Sequence, residues 1–118
     1  MDTLTEATLA TIERFNEAFN RHDVDAVMAL MTEDVVFENT SPAPDGERFE
    51  GQAAVRAFWE RFFGGSPGAH FEAEESLAAG DRCVVRWRYS WGDGHIRGVD
   101  VLQVRDGKVA EKLSYVKG

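Results

Sequence analysis

The chain has 118 residues, 43% hydrophobic and 29% charged, with a formal net charge of −8. This predicts one soluble globular domain over residues 1–118 with one hydrophobic core. The acidic balance excludes a nucleic-acid binder; with no apolar run long enough for a bilayer and no basic-then-apolar leader, the expectation is a cytoplasmic protein with no membrane partner.

Ile12, Phe15, Ala18 and Phe19 recur at helical spacing, with Thr3 or Thr5 as the cap and Glu6 completing a capping box with Thr3. Arg21-His22 breaks this helix. Asp23 caps a second one with Val27, Leu30 and Met31 on its apolar side. Asp34 to Asn39 reads as a strand. Pro42, Pro44 and Gly46 mark a loop from Thr40 to Phe49. Gly51-Gln52 opens a third helix with Val55, Phe58, Trp59 and Phe62 on one stripe, ended by Gly64 to Gly68. Strands follow from His70 to Leu77, Arg82 to Trp91, His95 to Arg105 and Val109 to Val116. Gly80-Asp81, Gly92-Asp93-Gly94 and Asp106-Gly107 form the turns. Short turns make neighbouring strands antiparallel. The expected fold class is α+β: three helices in the N-terminal half packed on a strongly curved, mostly antiparallel sheet that encloses a cone-shaped pocket.

The His95–Arg105 strand carries the sharpest chemical signal. Side chains alternate along a strand, so Ile96, Gly98, Asp100, Leu102 and Val104 share one face. That face is apolar except for Asp100. An acid buried without a partner is costly and tends to take up a proton, which suits it to donate a hydrogen bond or to move protons. The alternative is an Asp100 hydrogen-bonded to a Trp, Tyr or His for structure. Asn39, on the Val35-Phe37-Asn39 face, can bind a carbonyl or enolate, or cap the following loop. Tyr115 alternates with Glu111 and Leu113. If Leu113 points inward, Tyr115 does too, and its hydroxyl can serve an oxyanion hole or bond a backbone carbonyl.

Val85, Trp87, Tyr89 and Trp91 share a face that can line an aromatic pocket or pack in the core or a dimer contact, and alternation alone leaves open which face of this strand is inward. Arg86 and Arg88 lie opposite, in solvent or paired with Glu72, Glu74 or Glu75. Phe15, Phe37, Trp59, Phe63, Trp87, Leu102 and Leu113 are the expected apolar lining, with Trp59 and Phe63 at the mouth. His95 is a second candidate for proton transfer if a bulge at Gly98 re-aims it. His22, His70 and His95 are scattered, so no metal is expected, and no Gly-rich phosphate loop implies a cofactor. The lone Cys83, in a strand-like run, reads as a buried structural thiol, with a catalytic thiol as the alternative.

Four segments together resemble the nuclear transport factor 2-like superfamily and, within it, the polyketide cyclase-like (SnoaL-like) group, related to ketosteroid isomerase. They are Phe15 to Val27, Leu30 to Glu38, Gly51 to Trp59 and Gly98 to Glu111. The resemblance implies a hydrophobic carbonyl ligand in the cone and, in enzymatic members, acids that move protons beside the carbonyl. Ketosteroid isomerase uses an Asp base with an oxyanion hole of Tyr and a protonated Asp. The hole Asp resembles Asp100, also the acid/base position of the cyclase-like enzymes. The isomerase base falls on Asn39 and the hole Tyr on Phe15, so the chain departs from that pattern at both. The expectation is a cofactor-independent, enzyme-like protein of isomerase or cyclase type, with Asp100 as acid/base and Asn39 and Tyr115 holding the oxygen. The alternative is a non-catalytic ligand-binding or dimerisation module. A homodimer through the open sheet face, with Val99 and Val101 exposed, is expected in either case.

Overall fold

The computed structural model describes residues 2–118. The elements in chain order are α1 (Thr3–Asn20), α2 (Val24–Ala29), β1 (Met31–Glu38), β2 (Arg48–Glu50), α3 (Gln52–Gly65), β3 (His70–Ala79), β4 (Arg82–Trp91), β5 (Gly94–Arg105) and β6 (Lys108–Val116). The strands form one curved, unclosed sheet in the order β2-β1-β6-β5-β4-β3. All neighbours are antiparallel except β1 and β6, which run parallel. The three helices pack on the sheet, and Val27, Val35, Val55, Val85 and Val109 are fully buried in the core.

Several local expectations are corrected. The α1 cap is Asp2, whose carboxylate accepts from the Thr5 backbone N–H at 2.7 Å, rather than Thr3 or Thr5. Thr5 and Thr8 instead tie the helix to the β3–β4 turn: Gly80 N–H donates to Thr5 Oγ1 at 2.9 Å, and Thr8 Oγ1 donates to the Gly80 carbonyl at 2.7 Å. Leu30 and Met31 lie beyond α2, because the chain turns into β1 there. The end of the Thr40–Phe49 loop adds to the sheet as β2, with Phe49 opposite Phe37.

Gly51 opens α3 with φ at +86°, a conformation a Cβ disfavours. Its N–H donates to the Val35 carbonyl at 2.8 Å. The Gln52 side-chain amide donates toward the carbonyls of Met31 at 3.0 Å and Thr32 at 3.1 Å. These contacts replace a side-chain cap and lock the start of α3 to β1.

The decisive irregularity lies between β5 and β6. Val104 pairs with Val109, but the next residue, Gln103, pairs with Glu111. Ala110 is therefore an extra residue, a β-bulge. A one-residue shift moves every later side chain to the other face of the sheet. Val109 and Ala110 are both buried, and beyond them Lys112 and Ser114 face inward, opposite Leu102 and Asp100.

Candidate functional site

The concave face of the sheet and α3 line an open cavity of about 590 Å³, within the range of small-molecule sites. Its wall is mostly aromatic, from Phe19 on α1, Phe37 on β1, Phe58, Trp59 and Phe62 on α3, and Trp87 and Tyr89 on β4. These rings support one another. Phe19 meets Trp59 edge-on at 5.4 Å between centroids, and Phe37 lies 4.7 Å from Trp59. The odd-numbered face of β4 is inward, and Arg86 on the other face pairs with Glu75 at 2.9 Å.

One polar cluster interrupts the aromatic wall. Asp100 is 3% exposed. Its Oδ1 accepts from Trp87 Nε1 at 3.0 Å and from Ser114 Oγ at 2.7 Å. Lys112, itself 7% exposed, places Nζ 3.1 Å from Asp100 Oδ2 and donates to Ser114 Oγ at 3.0 Å. The same ammonium lies over Phe37 at 5.0 Å and Trp59 at 5.5 Å from the ring centroids, a cation–π contact with both. The expectation of an acid without a partner is thus overturned: Asp100 is one half of a buried, hydrogen-bonded ion pair.

Gly98 makes this arrangement possible. It pairs with Trp87 across β4 and β5, and a Cβ there would fall 2.5 Å from the indole ring and 2.2 Å from the Tyr115 carbonyl oxygen. Only a residue without a side chain lets the indole lie across β5 and reach Asp100.

The other expected site residues fall in different places. Phe37, Trp59 and Trp87 line the cavity, as does Asn39. The Asn39 side-chain oxygen accepts from the Glu47 backbone N–H at 2.7 Å, closing the β1–β2 loop. Tyr115 is 54% exposed on the convex face, and Leu113 faces the same way, because the Ala110 bulge reverses the alternation from which their direction was read. His95 is exposed, since β5 is regular at Gly98 and keeps it opposite Asp100. Phe15 and Leu102 are buried in the core without reaching the cavity. Phe63 also misses the cavity lining and stacks on the His22 ring at 4.8 Å. Simple alternation does not point to Lys112 and Ser114; two consecutive apolar residues, Val109 and Ala110, are the sole sequence hint of the bulge.

Trp59 Nε1 is buried on the cavity wall with no hydrogen-bond partner among the described residues. Burial pushes the Tyr89 phenol up, and its hydroxyl has no hydrogen-bond partner among the described residues. Burial also pushes the Cys83 thiol up, which disfavours the reactive thiolate. Among the described residues no cluster of His, Cys, Asp and Glu is placed to hold a metal ion, and no helix is long and apolar enough to cross a membrane.

The SnoaL-like domain family matches residues 12–112. The chain belongs to this family. No curated protein matches it. Among solved structures, this SnoaL-like chain is 43% identical to an NTF2-like protein of unknown function from Mesorhizobium loti, with a TM-score of 0.88 over 100% of this chain and 97% of that one. It is 26% identical to a candidate ketosteroid isomerase from Kribbella flavida DSM 17836, with a TM-score of 0.83 over 97% of this chain and 80% of that one. A candidate polyketide cyclase from Xanthomonas campestris pv. campestris shares 22% identity and a TM-score of 0.74, covering 98% and 93% of the two chains, a likeness of fold.

Two predictions test this geometry. Gly98→Ala should destabilise the SnoaL-like domain by about 1–3 kcal/mol, as overpacking does. It should also change the near-ultraviolet circular dichroism of Trp87; an unchanged spectrum and denaturation midpoint would contradict the close packing. The Tyr89 phenolate, read as the 295 nm absorbance difference between the wild type and Tyr89→Phe, should appear above the ordinary phenol value of about 10. The folded state then holds its proton more tightly than the unfolded state. The stability from this group is complete below that ordinary value and is lost as pH rises toward the folded one.

Proposed function

We infer that this SnoaL-like protein binds an uncharged, hydrophobic carbonyl compound in the aromatic cavity and moves a proton at the carbon beside the carbonyl. The observation that carries this reading is the Asp100–Lys112–Ser114 cluster on an otherwise aromatic wall. The ion pair is neutral as a unit. A charged ligand would add an uncompensated charge to a desolvated site, whereas an uncharged one matches it. Asp100 is the acid/base: its carboxylate takes the α-proton and returns it to the enolate. An ammonium has one more N–H than the Asp100 and Ser114 contacts of Lys112 use, and that donor is available to the ligand oxygen. Lys112 thus supplies the oxyanion stabilisation first expected of Tyr115. The free N–H₂ of Asn39 can add to it from the β1–β2 loop.

A second reading is non-catalytic binding. It is favoured by one observation: both oxygens of Asp100 already have partners. Exchange of the α-protons of 2-tetralone in D₂O separates the two. The catalytic reading expects wild-type exchange at least about 100-fold faster than buffer, in line with general acid–base contributions, and none of this acceleration in the Asp100→Asn/Lys112→Met double variant. Bound tetralone exchanging at the buffer rate would leave binding alone. Asp100→Asn by itself should cost about 3–5 kcal/mol, since it strands a buried ammonium. The double variant should recover most of that loss in chemical denaturation.

A homodimer through the convex sheet face is also proposed. Leu77, Val84, Val101 and Leu113 form one cross-strand row there, with Leu77 60% and Val84 37% exposed. The ion pairs Arg82–Glu111 and Arg86–Glu75 flank it. A self-complementary apolar band edged by charge suits a two-fold contact. Sedimentation should find a dimer for the wild type and a monomer for Val84→Asp; a wild-type monomer at all concentrations would overturn this assembly.

A further inference from the structure

We propose that Lys112 is a nucleophile as well as a cation, and that its Nζ forms an imine with the carbonyl carbon of an aromatic aldehyde or ketone held in the cavity. The proposal rests on the carbonyl-binding reading above and adds a covalent bond to it.

Three features point to this chemistry. First, Lys112 is set apart from the other lysines, Lys108 and Lys117. Those two are exposed, while Lys112 is buried and lines the cavity. Second, the amine stands against the faces of Phe37 and Trp59. Aromatic faces that stabilise an ammonium also stabilise an iminium ion at the same place, so the product keeps the contacts of the reactant. Third, the groups that must handle protons are already in contact. Asp100 Oδ2 is 3.1 Å from Nζ, and Ser114 Oγ bridges the two side chains with contacts of 3.0 Å to Nζ and 2.7 Å to Asp100 Oδ1.

The step balances with these groups alone. Asp100 takes a proton from the Lys112 ammonium, which frees the nitrogen lone pair and removes two opposite charges together. An aromatic ligand that displaces water from the cavity favours this neutral pair, because burial penalises charged groups more than neutral ones. The nitrogen attacks the carbonyl carbon; the C–N bond forms as the carbonyl π pair moves to oxygen. Ser114 relays a proton from nitrogen to that oxygen, giving a neutral carbinolamine. Protonated Asp100 then gives its proton to the hydroxyl, which leaves as water, and the nitrogen lone pair forms the C=N bond. The iminium remains beside the Asp100 carboxylate, so an ion pair is present at the start and at the end. Such an iminium acidifies the neighbouring carbon more than the parent carbonyl does.

The test is reductive trapping on the full chain. The protein is incubated with 2-naphthaldehyde and sodium cyanoborohydride, and the adduct is located by intact mass and peptide mapping. One naphthylmethyl group is expected on Lys112, at a rate at least tenfold above Lys108 and Lys117 in the same molecules. Lys112→Arg keeps a cation opposite Asp100 but cannot form the imine, and should lose that adduct while retaining the fold. 2-Ethylnaphthalene fills the cavity without a carbonyl and should slow the labelling of Lys112 alone. Trp59, Trp87 and Trp91 all line the cavity, so quenching of their fluorescence reports binding independently of chemistry. Quenching with an unmodified Lys112 overturns the covalent step and leaves the binding reading intact. No quenching and no adduct overturns both.

Discussion

Asp100 and Lys112 bring two full charges into a space walled by aromatic rings, and neither is tolerable there without the other. Removing a carboxylate and an ammonium from water costs several kcal/mol each even after the protein relaxes. The 3.1 Å contact and the surrounding donors from Trp87 and Ser114 offset that cost. Replacing such a pair by apolar residues is often neutral or stabilising. Stability is therefore a weak reason for the pair to be here, and its position on the cavity wall is the stronger one. The pair also constrains its neighbours. Trp87 must lie flat to reach Asp100, which requires Gly98 beneath it, and Lys112 must face inward, which requires the bulge at Ala110.

That bulge marks the boundary of what the sequence can convey. The helices, most strands and their turns follow from periodicity and from Gly, Pro and Asp placement, and the inward faces of β1 and β5 follow from simple alternation; for β4 alternation separates two faces, aromatic and arginine-bearing, without telling which is inward. The inward face of β6 does not follow, because alternation holds only while the register is unbroken. Lys108 opposite Arg105 and Val109 opposite Val104 begin a regular two-residue hairpin. Continued without interruption, it would aim Leu113 and Tyr115 inward, the direction that an apolar Leu113 suggests for both by alternation. One inserted residue exchanges them for Lys112 and Ser114. The same insertion converts an isolated acid into a paired one, so a single local irregularity alters the chemistry of the cavity.

The aromatic residues show a different limit. Phe15, Phe63 and Leu102 are as buried as Phe37, Trp59 and Trp87, but only the latter three border the cavity. Hydrophobic patterning tells which side of an element faces the interior and does not tell how deep the interior is filled. Depth is set by three-dimensional packing: Phe19 sits within 5.1–6.2 Å of Trp59, Phe62, Phe63 and Phe71. This ring cluster sets one wall and leaves space on its sheet side. Asn39 was ambiguous for a related reason. Its oxygen serves the β1–β2 loop, and that partner, Glu47, lies in a segment whose path is not periodic.

Membership in the SnoaL-like family accounts for the helices packed on a curved sheet and leaves the chemistry open, since one fold supports many activities and function resides in the particular site. Two positions that carry isomerase chemistry by resemblance, at Asn39 and Phe15, hold residues that can neither remove a proton near neutral pH nor donate from a hydroxyl. The buried polar groups on the cavity wall come from β5 and β6 instead, with Asp100 and Ser114 as direct cross-strand partners and Lys112 hydrogen-bonded to Ser114. Groups on paired strands are held by backbone hydrogen bonds on both sides, so their spacing is far less adjustable than that of groups on loops. Such rigidity suits a cluster whose members must exchange protons over single hydrogen-bond distances, and it suits equally a cluster that must stay paired because either charge alone would be expelled. The cost of burial and the geometry of proton transfer thus select the same arrangement. The electrostatics of the cavity and the reaction proposed within it accordingly depend on the same three side chains.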